Sequence, residues 1–137
     1  MSKPLINEIS PGAVLYGTVK HVDQQKIDAF GTVSGGVGAI HLDPVFCKEH
    51  TRFGGTLVQG YLLLGYLTEM LKNNFGKLWV TGGSMEAKLV SPAMEGDTLV
   101  TGGIVKELDD EIAVCEIWLR NSEQKNIVVG TAKIKIK

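Results

Sequence analysis

The side chains in this sequence able to carry a proton near neutral pH or bond to an electrophile are few, and one has a distinctive setting. His41 closes a glycine-dense run, Ser34-Gly35-Gly36-Val37-Gly38-Ala39-Ile40-His41. An imidazole there can act as general acid or base, or be buried for purely structural reasons; the run by itself leaves both open. The glycines invite a phosphate-loop reading, but they lack the Gly-x-x-x-x-Gly-Lys-Ser/Thr spacing and any lysine. Among carboxylates, Asp43 precedes Pro44 and reads as a helix N-cap, its charge suiting the helix dipole. Asp28 and Glu49 fall on short helical stretches and read as solvated. Glu69 lies four residues past Gly65, on the same helical stripe, and is an alternative acid or base. Cys47 has no placed base and reads as packing. With Cys115 it makes a pair too small for a disulfide framework and without metal-ligand spacing, so no metal is expected.

These groups need elements to hold them. Residues 24–33 read as a short helix with Ile27, Phe30 and Val33 on one face, and a second begins at Pro44 and runs toward His50. A long helix is expected over about 57–72, apolar on every side and therefore wrapped by other elements. It stops near Lys72-Asn73-Asn74-Phe75-Gly76. Residues 13–19 read as β-rich, and everything after Leu78 as strand and turn: 84–90, 98–106, 111–120 and 127–137. Ala113, Cys115, Ile117 and Leu119 share one face, as do Val128, Ala132, Ile134 and Ile136, with lysines opposite. Gly82-Gly83 and Gly102-Gly103 are expected at strand bends or bulges. One buried helix and strands with one apolar face give an α+β arrangement, a curved antiparallel sheet wrapped around the helix. With 137 residues and no internal linker, a single domain spanning 1–137 is expected.

Composition narrows the partners. Fourteen Lys and Arg against fifteen Asp and Glu leave a formal net charge of -1, with no dense basic face for nucleic acid or an anionic membrane surface. The N-terminus shows no apolar targeting stretch, and the apolar run 61–67 is far short of the roughly 18 residues of a membrane span. A cytoplasmic location is expected.

The loop Ser34-Gly35-Gly36-Val37-Gly38-Ala39-Ile40-His41-Leu42-Asp43-Pro44 resembles the signature of the MaoC-like branch of the hotdog-fold superfamily, the (R)-specific enoyl-CoA hydratases and related acyl dehydratases. That signature reads Ser-Gly-Asp-x-Asn-Pro-(Ile/Leu)-His, then x-Asp-Pro. The resemblance continues through Phe53, the Gln59-Gly60 step, Gly83-Ser84-Met85-Glu86-Ala87-Lys88-Leu89, Pro92 and Gly96-Asp97-Thr98-Leu99. It implies a hotdog fold and reversible hydration of a 2-enoyl thioester by an Asp and a His sharing one water. Here His41 stands at the His position, but Gly36 stands where the Asp belongs, and Gly38 and Ala39 replace Asn and Pro. Loss of a positioned base lowers a rate by on the order of 10²–10⁴-fold.

By the same resemblance, backbone N–H groups around Gly60 polarise the thioester carbonyl as an oxyanion hole. Phe53, Gln59 (in place of the usual His), Tyr61 and Thr68 are expected to contact substrate. In acyl-carrier-protein dehydratases the acid partner is a Glu on this helix near the Gly65 position, one turn before Glu69. The implied substrate is an acyl-CoA or carrier-bound thioester, with no cofactor beyond the coenzyme A it carries. Arg52, Lys72, Lys77 and Lys88 are candidates for its nucleotide end. A homodimer or dimer-based oligomer is implied, with the acyl pocket at the subunit interface. The alternatives are a thioesterase or a non-catalytic acyl-binding subunit of a catalytic hotdog partner.

Overall fold

The computed structural model describes residues 3–137; Met1 and Ser2, where the leader-free N-terminus was expected to begin, lie outside it. Along the chain come β1 (Val19–His21), α1 (Gln24–Ser34), α2 (Ala39–Leu42), α3 (Pro44–His50), α4 (Gly60–Phe75), α5 (Lys77–Gly82), β2 (Gly83–Leu89), β3 (Thr98–Leu108), β4 (Ile112–Asn121) and β5 (Asn126–Lys135). The strands form one antiparallel sheet in the order β1-β3-β4-β5-β2. Alternation places Ala113, Cys115, Ile117 and Leu119 of β4, with Ala132 and Ile134 of β5, on the covered face. Against that face α4 packs Leu63, Leu67, Met70, Leu71 and Phe75, all 2% exposed or less. This is the α+β hotdog architecture, a sheet curved around one long helix.

Several boundaries differ from the sequence reading. The long helix begins at Gly60 and runs to Phe75, not over 57–72. Residues 57 and 58 are instead extended: Leu57 bridges Met94, and Val58 N–H donates to Ala93 O at 2.8 Å. At the far end the helix stops within the expected run, with Lys72 in its last turn and Gly76 as C-cap, and Asn74 is fully buried as a bracket. Its Oδ1 accepts from Tyr16 N–H at 2.9 Å, while Nδ2 donates to Tyr16 O at 2.9 Å and to Met70 O at 2.8 Å. Nor is the helix covered all round. Tyr61 is 80% exposed, and Gly65, Thr68, Glu69 and Lys72 continue an exposed stripe.

Residues 77–82 form a helical turn, not strand. In the expected strand over 13–19, only Val14 bridges Ile104 before β1 pairs with β3 from Val19. On α1 the buried positions are Ile27 and Gly31, while Val33 points to solvent. The register breaks fall at Val105/Glu107 and Leu119/Arg120, not at the glycine pairs. Gly83 and Gly102 lie instead beneath the Trp79 and Trp118 rings, where a Cβ would collide.

Burial sets the expected stability effects. Leu67→Ala leaves a cavity at the middle of the core and should destabilise by about 2–5 kcal/mol. Asn74→Ala leaves the Tyr16 amide and carbonyl unpaired, which should cost about 1–3 kcal/mol. Urea unfolding midpoints at constant slope measure both.

Candidate functional site

Three short elements carry the glycine loop. Asp23 caps α1 by accepting from Lys26 N–H at 2.9 Å, and Gly35 ends it in the left-handed region at φ 81°. Gly38 starts the four-residue α2, which carries His41. Asp43 then caps α3, accepting from Phe46 N–H at 3.0 Å, with Pro44 at the first helical position. Two bonds fix α2 to its surroundings. Leu57 N–H donates to Ile40 O at 2.9 Å, and Gln24 Nε2 donates to His41 O at 2.8 Å.

The imidazole is oriented by a single bond, 2.9 Å between His41 Nδ1 and Leu57 O. A backbone carbonyl only accepts, so the ring proton sits on Nδ1 and the neutral ring turns a lone pair outward at Nε2. Nε2 has no partner among the described residues. The same bond shapes the start of α4. Leu57 O is the carbonyl four residues before Tyr61, and it is engaged by the imidazole instead of by Tyr61 N–H. Gln59 O accepts from Leu62 and Leu63 N–H at 3.1 and 3.2 Å, but Gln59 supplies no side-chain cap. Gly60 and Tyr61 N–H therefore have no acceptor among the described residues. Free amides at the positive end of a 16-residue helix suit a carbonyl oxygen that gains negative charge.

His41 and Gly60 line one cleft of about 360 Å³, closed elsewhere by Leu57, Val58, Leu63 and the segment 89–93. A neighbouring groove of about 340 Å³ is lined by Gly60, Tyr61, Leu64 and Leu89. Leu89 Cδ2 stands 2.7 Å from where a Cβ on Gly60 would be, so the bare glycine leaves its own amide approachable. The wall from Leu89 to Ala93, including Ser91, has no counterpart in the sequence reading. Leu89 and Pro92 carried part of the resemblance, but neither was expected at the site.

Other expected site residues lie elsewhere. Gln59 is 4% exposed and lines neither cleft; its Nε2 donates to Ile27 O at 2.8 Å and to Gly36 O at 3.3 Å. Thr68 is exposed and donates its hydroxyl to Leu64 O at 3.0 Å. Phe53 is half-buried beside the Arg52 guanidinium, 5.2 Å from ring centroid to Cζ, outside both clefts. Tyr61 borders the groove. Glu69 is paired with Lys20 at 2.8 Å, nine residues and thus ~13.5 Å of helix beyond Gly60. It is not poised to serve His41. Next to it, the Tyr66 phenol is raised from its ordinary value, chiefly by burial, with Glu69 and Asp23 adding to the shift. Cys47 is buried with Sγ 3.3 Å from Ile40 O. Asp28 is exposed and accepts from Gln24. Lys72, Lys77 and Lys88 are exposed on three different elements and line neither cleft. Gly36 offers only its backbone, so among the described residues His41 is the one titratable side chain lining the cleft.

Residues 9–125 match the family description "MaoC like domain". No curated protein sequence matches the chain. Among solved structures, the (R)-hydratase from A. caviae involved in PHA biosynthesis superposes with a TM-score of 0.82 at 23% identity, covering 96% of this chain and 99% of that one. An R-hydratase from Pseudomonas aeruginosa gives 0.79 at 20% identity, covering 93% and 81%. The ChsH1-ChsH2 complex from Mycobacterium tuberculosis gives 0.79 at 17% identity, covering 95% and 100%. At these identities the likeness is one of fold.

The tautomer is directly measurable. Nitrogen-15 NMR of ring-labelled protein should show neutral His41 protonated at Nδ1, whereas free histidine favours the Nε2–H form. An Nε2–H signal would contradict the bond to Leu57 O.

Proposed function

The chain belongs to the MaoC-like dehydratase family, and from that premise we propose that it is an acyl-thioester hydratase/dehydratase. Its substrates are enoyl-CoA and 3-hydroxyacyl-CoA thioesters or their carrier-bound equivalents. The observation that carries the reading is one cleft lined by both an outward imidazole lone pair and the uncapped start of α4.

In the hydration direction the thioester carbonyl oxygen accepts from Gly60 and Tyr61 N–H. The conjugated double bond then lies toward His41. Nε2 takes a proton from water as the oxygen bonds to the β-carbon, and the electron pair of the double bond moves onto the carbonyl oxygen as an enolate held by the two amides. The imidazolium returns the proton to the α-carbon as the carbonyl re-forms. Dehydration is the reverse. No cofactor enters beyond the coenzyme A of the substrate.

We read the functional unit as a homodimer in the cytoplasm. β2 is an edge strand of seven residues, and its last residue Leu89 and the following Val90 are 52% and 50% exposed beside the cleft. Two-fold pairing of this edge would extend the sheet and cover that apolar surface. Among the described residues no helix is long and apolar enough to cross a membrane.

A second reading is favoured by the lack of any carboxylate lining the cleft: a non-catalytic acyl-binding subunit beside a catalytic hotdog chain. One experiment separates the readings. With crotonyl-CoA and longer enoyl-CoAs, loss of the conjugated double bond without thiol release is expected, and His41→Ala should lower that rate at least ~100-fold. Thiol release would instead identify a thioesterase. Binding without turnover would identify the acyl-binding subunit.

A further inference from the structure

Gly36 and Gln59 lie 23 residues apart and touch. A Cβ at Gly36 would stand 3.3 Å from Gln59 Cγ and 3.3 Å from Ser34 Oγ, tighter than side chains ordinarily pack. The Gln59 side chain thus fills the space into which a side chain at 36 would grow. Gly31 takes part as well, since a Cβ there would meet Gly36 O at 2.9 Å and Gln59 Nε2 at 3.4 Å. The orientation of the carboxamide is fixed, because Ile27 O and Gly36 O can only accept and so face the NH₂ group. Gln59 Oε1 is left buried without a donor. A buried orphan acceptor is uncommon and destabilising. Here it accompanies an amide that ties α1 and the loop before His41 to the lead-in of α4.

We propose that Gln59 is a positioning residue coupled to Gly36. Its carboxamide takes the place of a side chain at 36, holds the His41 loop against the start of α4, and contributes only hydrogen bonds. His41 is then the sole proton carrier at the site. The packing half of this inference stands alone; the catalytic half deepens the hydratase reading and rests on it. A side chain at 36 is accommodated without strain only when residue 59 is shortened as well. The backbone at 36 is not an obstacle, since its φ is outside the left-handed region.

The test is a double-mutant cycle of Gly36→Asp, Gln59→Ala and the double variant, with Gly36→Ala in place of Gly36→Asp as a milder parallel cycle should the aspartate variants fail to fold. Thermal midpoints, rates with crotonyl-CoA and pH–rate profiles are measured for each. Each single substitution is expected to lower Tm by about 3–8 °C. The loss in the double variant should be smaller than the two single losses added, because removing the Gln59 carboxamide opens the space that residue 36 needs. Gln59→Ala alone should lower kcat at least ~10-fold while leaving KM within about twofold, because the His41 loop loses its tie to α1 and to the start of α4. Losses in Tm that simply add would overturn the coupling. A Gln59→Ala variant with the parent's kcat would overturn the positioning role. Coupled Tm losses with no hydration in any variant would uphold the packing pair and bring down the hydratase reading instead.

Discussion

The carbonyl of Leu57 is the atom on which the cleft depends. In a helix extended backward by one turn it would accept from Tyr61 N–H; here it accepts from His41 Nδ1. This one bond decides the tautomer of the imidazole and leaves Nε2 unprotonated in the neutral ring, while the first amides of α4 are free because the chain before Gly60 is extended and Thr56 O accepts instead from Glu95 N–H. A proton acceptor is thereby held beside an anion-stabilising helix end. Without it the imidazole would be free to rotate, while the bonds of Leu57 N–H to Ile40 O and of Val58 N–H to Ala93 O would still hold the lead-in extended.

The rest of the fold keeps that contact in place. The sheet fixes α4 through Leu63, Leu67, Met70, Leu71 and Phe75, so the helix start is a rigid feature. Val58 N–H to Ala93 O and Leu57 N–H to Ile40 O lock the lead-in between the 91–94 turn and α2. Most of the chemistry is thus carried by short segments that own little apolar surface and borrow their rigidity from the core. α2 buries none of its four residues. It is held by the bond from Leu57 N–H to Ile40 O on one side and by Gln24 on the other, while Gln59 ties down Gly36 in the loop before it.

The apolar alternation of β4 and β5 and the long run centred on Leu67 were legible in the sequence because burial enforces periodicity. The start of α4 was not. Leu57 and Val58 are apolar like the helix that follows, and only their hydrogen bonds to distant segments keep them extended. Asn74 read as a helix stop by residue type, yet its side chain is spent on Tyr16, a contact between residues 58 apart that no local pattern reports. The site divides the same way. His41 and Gly60 stood out through a motif. Thr68 and Phe53 were placed by the resemblance and Glu69 by helical spacing, and neither reveals that Thr68 turns back on Leu64, that Phe53 lies beside Arg52, or that Lys20 claims Glu69. Gln59 was expected at the substrate because it is polar; instead it is buried, facing two carbonyls from α1 and the glycine loop.

The central claim is that the free amides at the start of α4 receive a thioester carbonyl beside His41. Carbon-13 NMR of crotonyl-CoA labelled at the carbonyl, bound to amide-labelled protein, tests it most directly. The account predicts a downfield carbonyl shift on binding together with downfield movement of the Gly60 and Tyr61 amide protons. A bound thioester whose carbonyl resonates as in water, with those two amides unmoved, would contradict it.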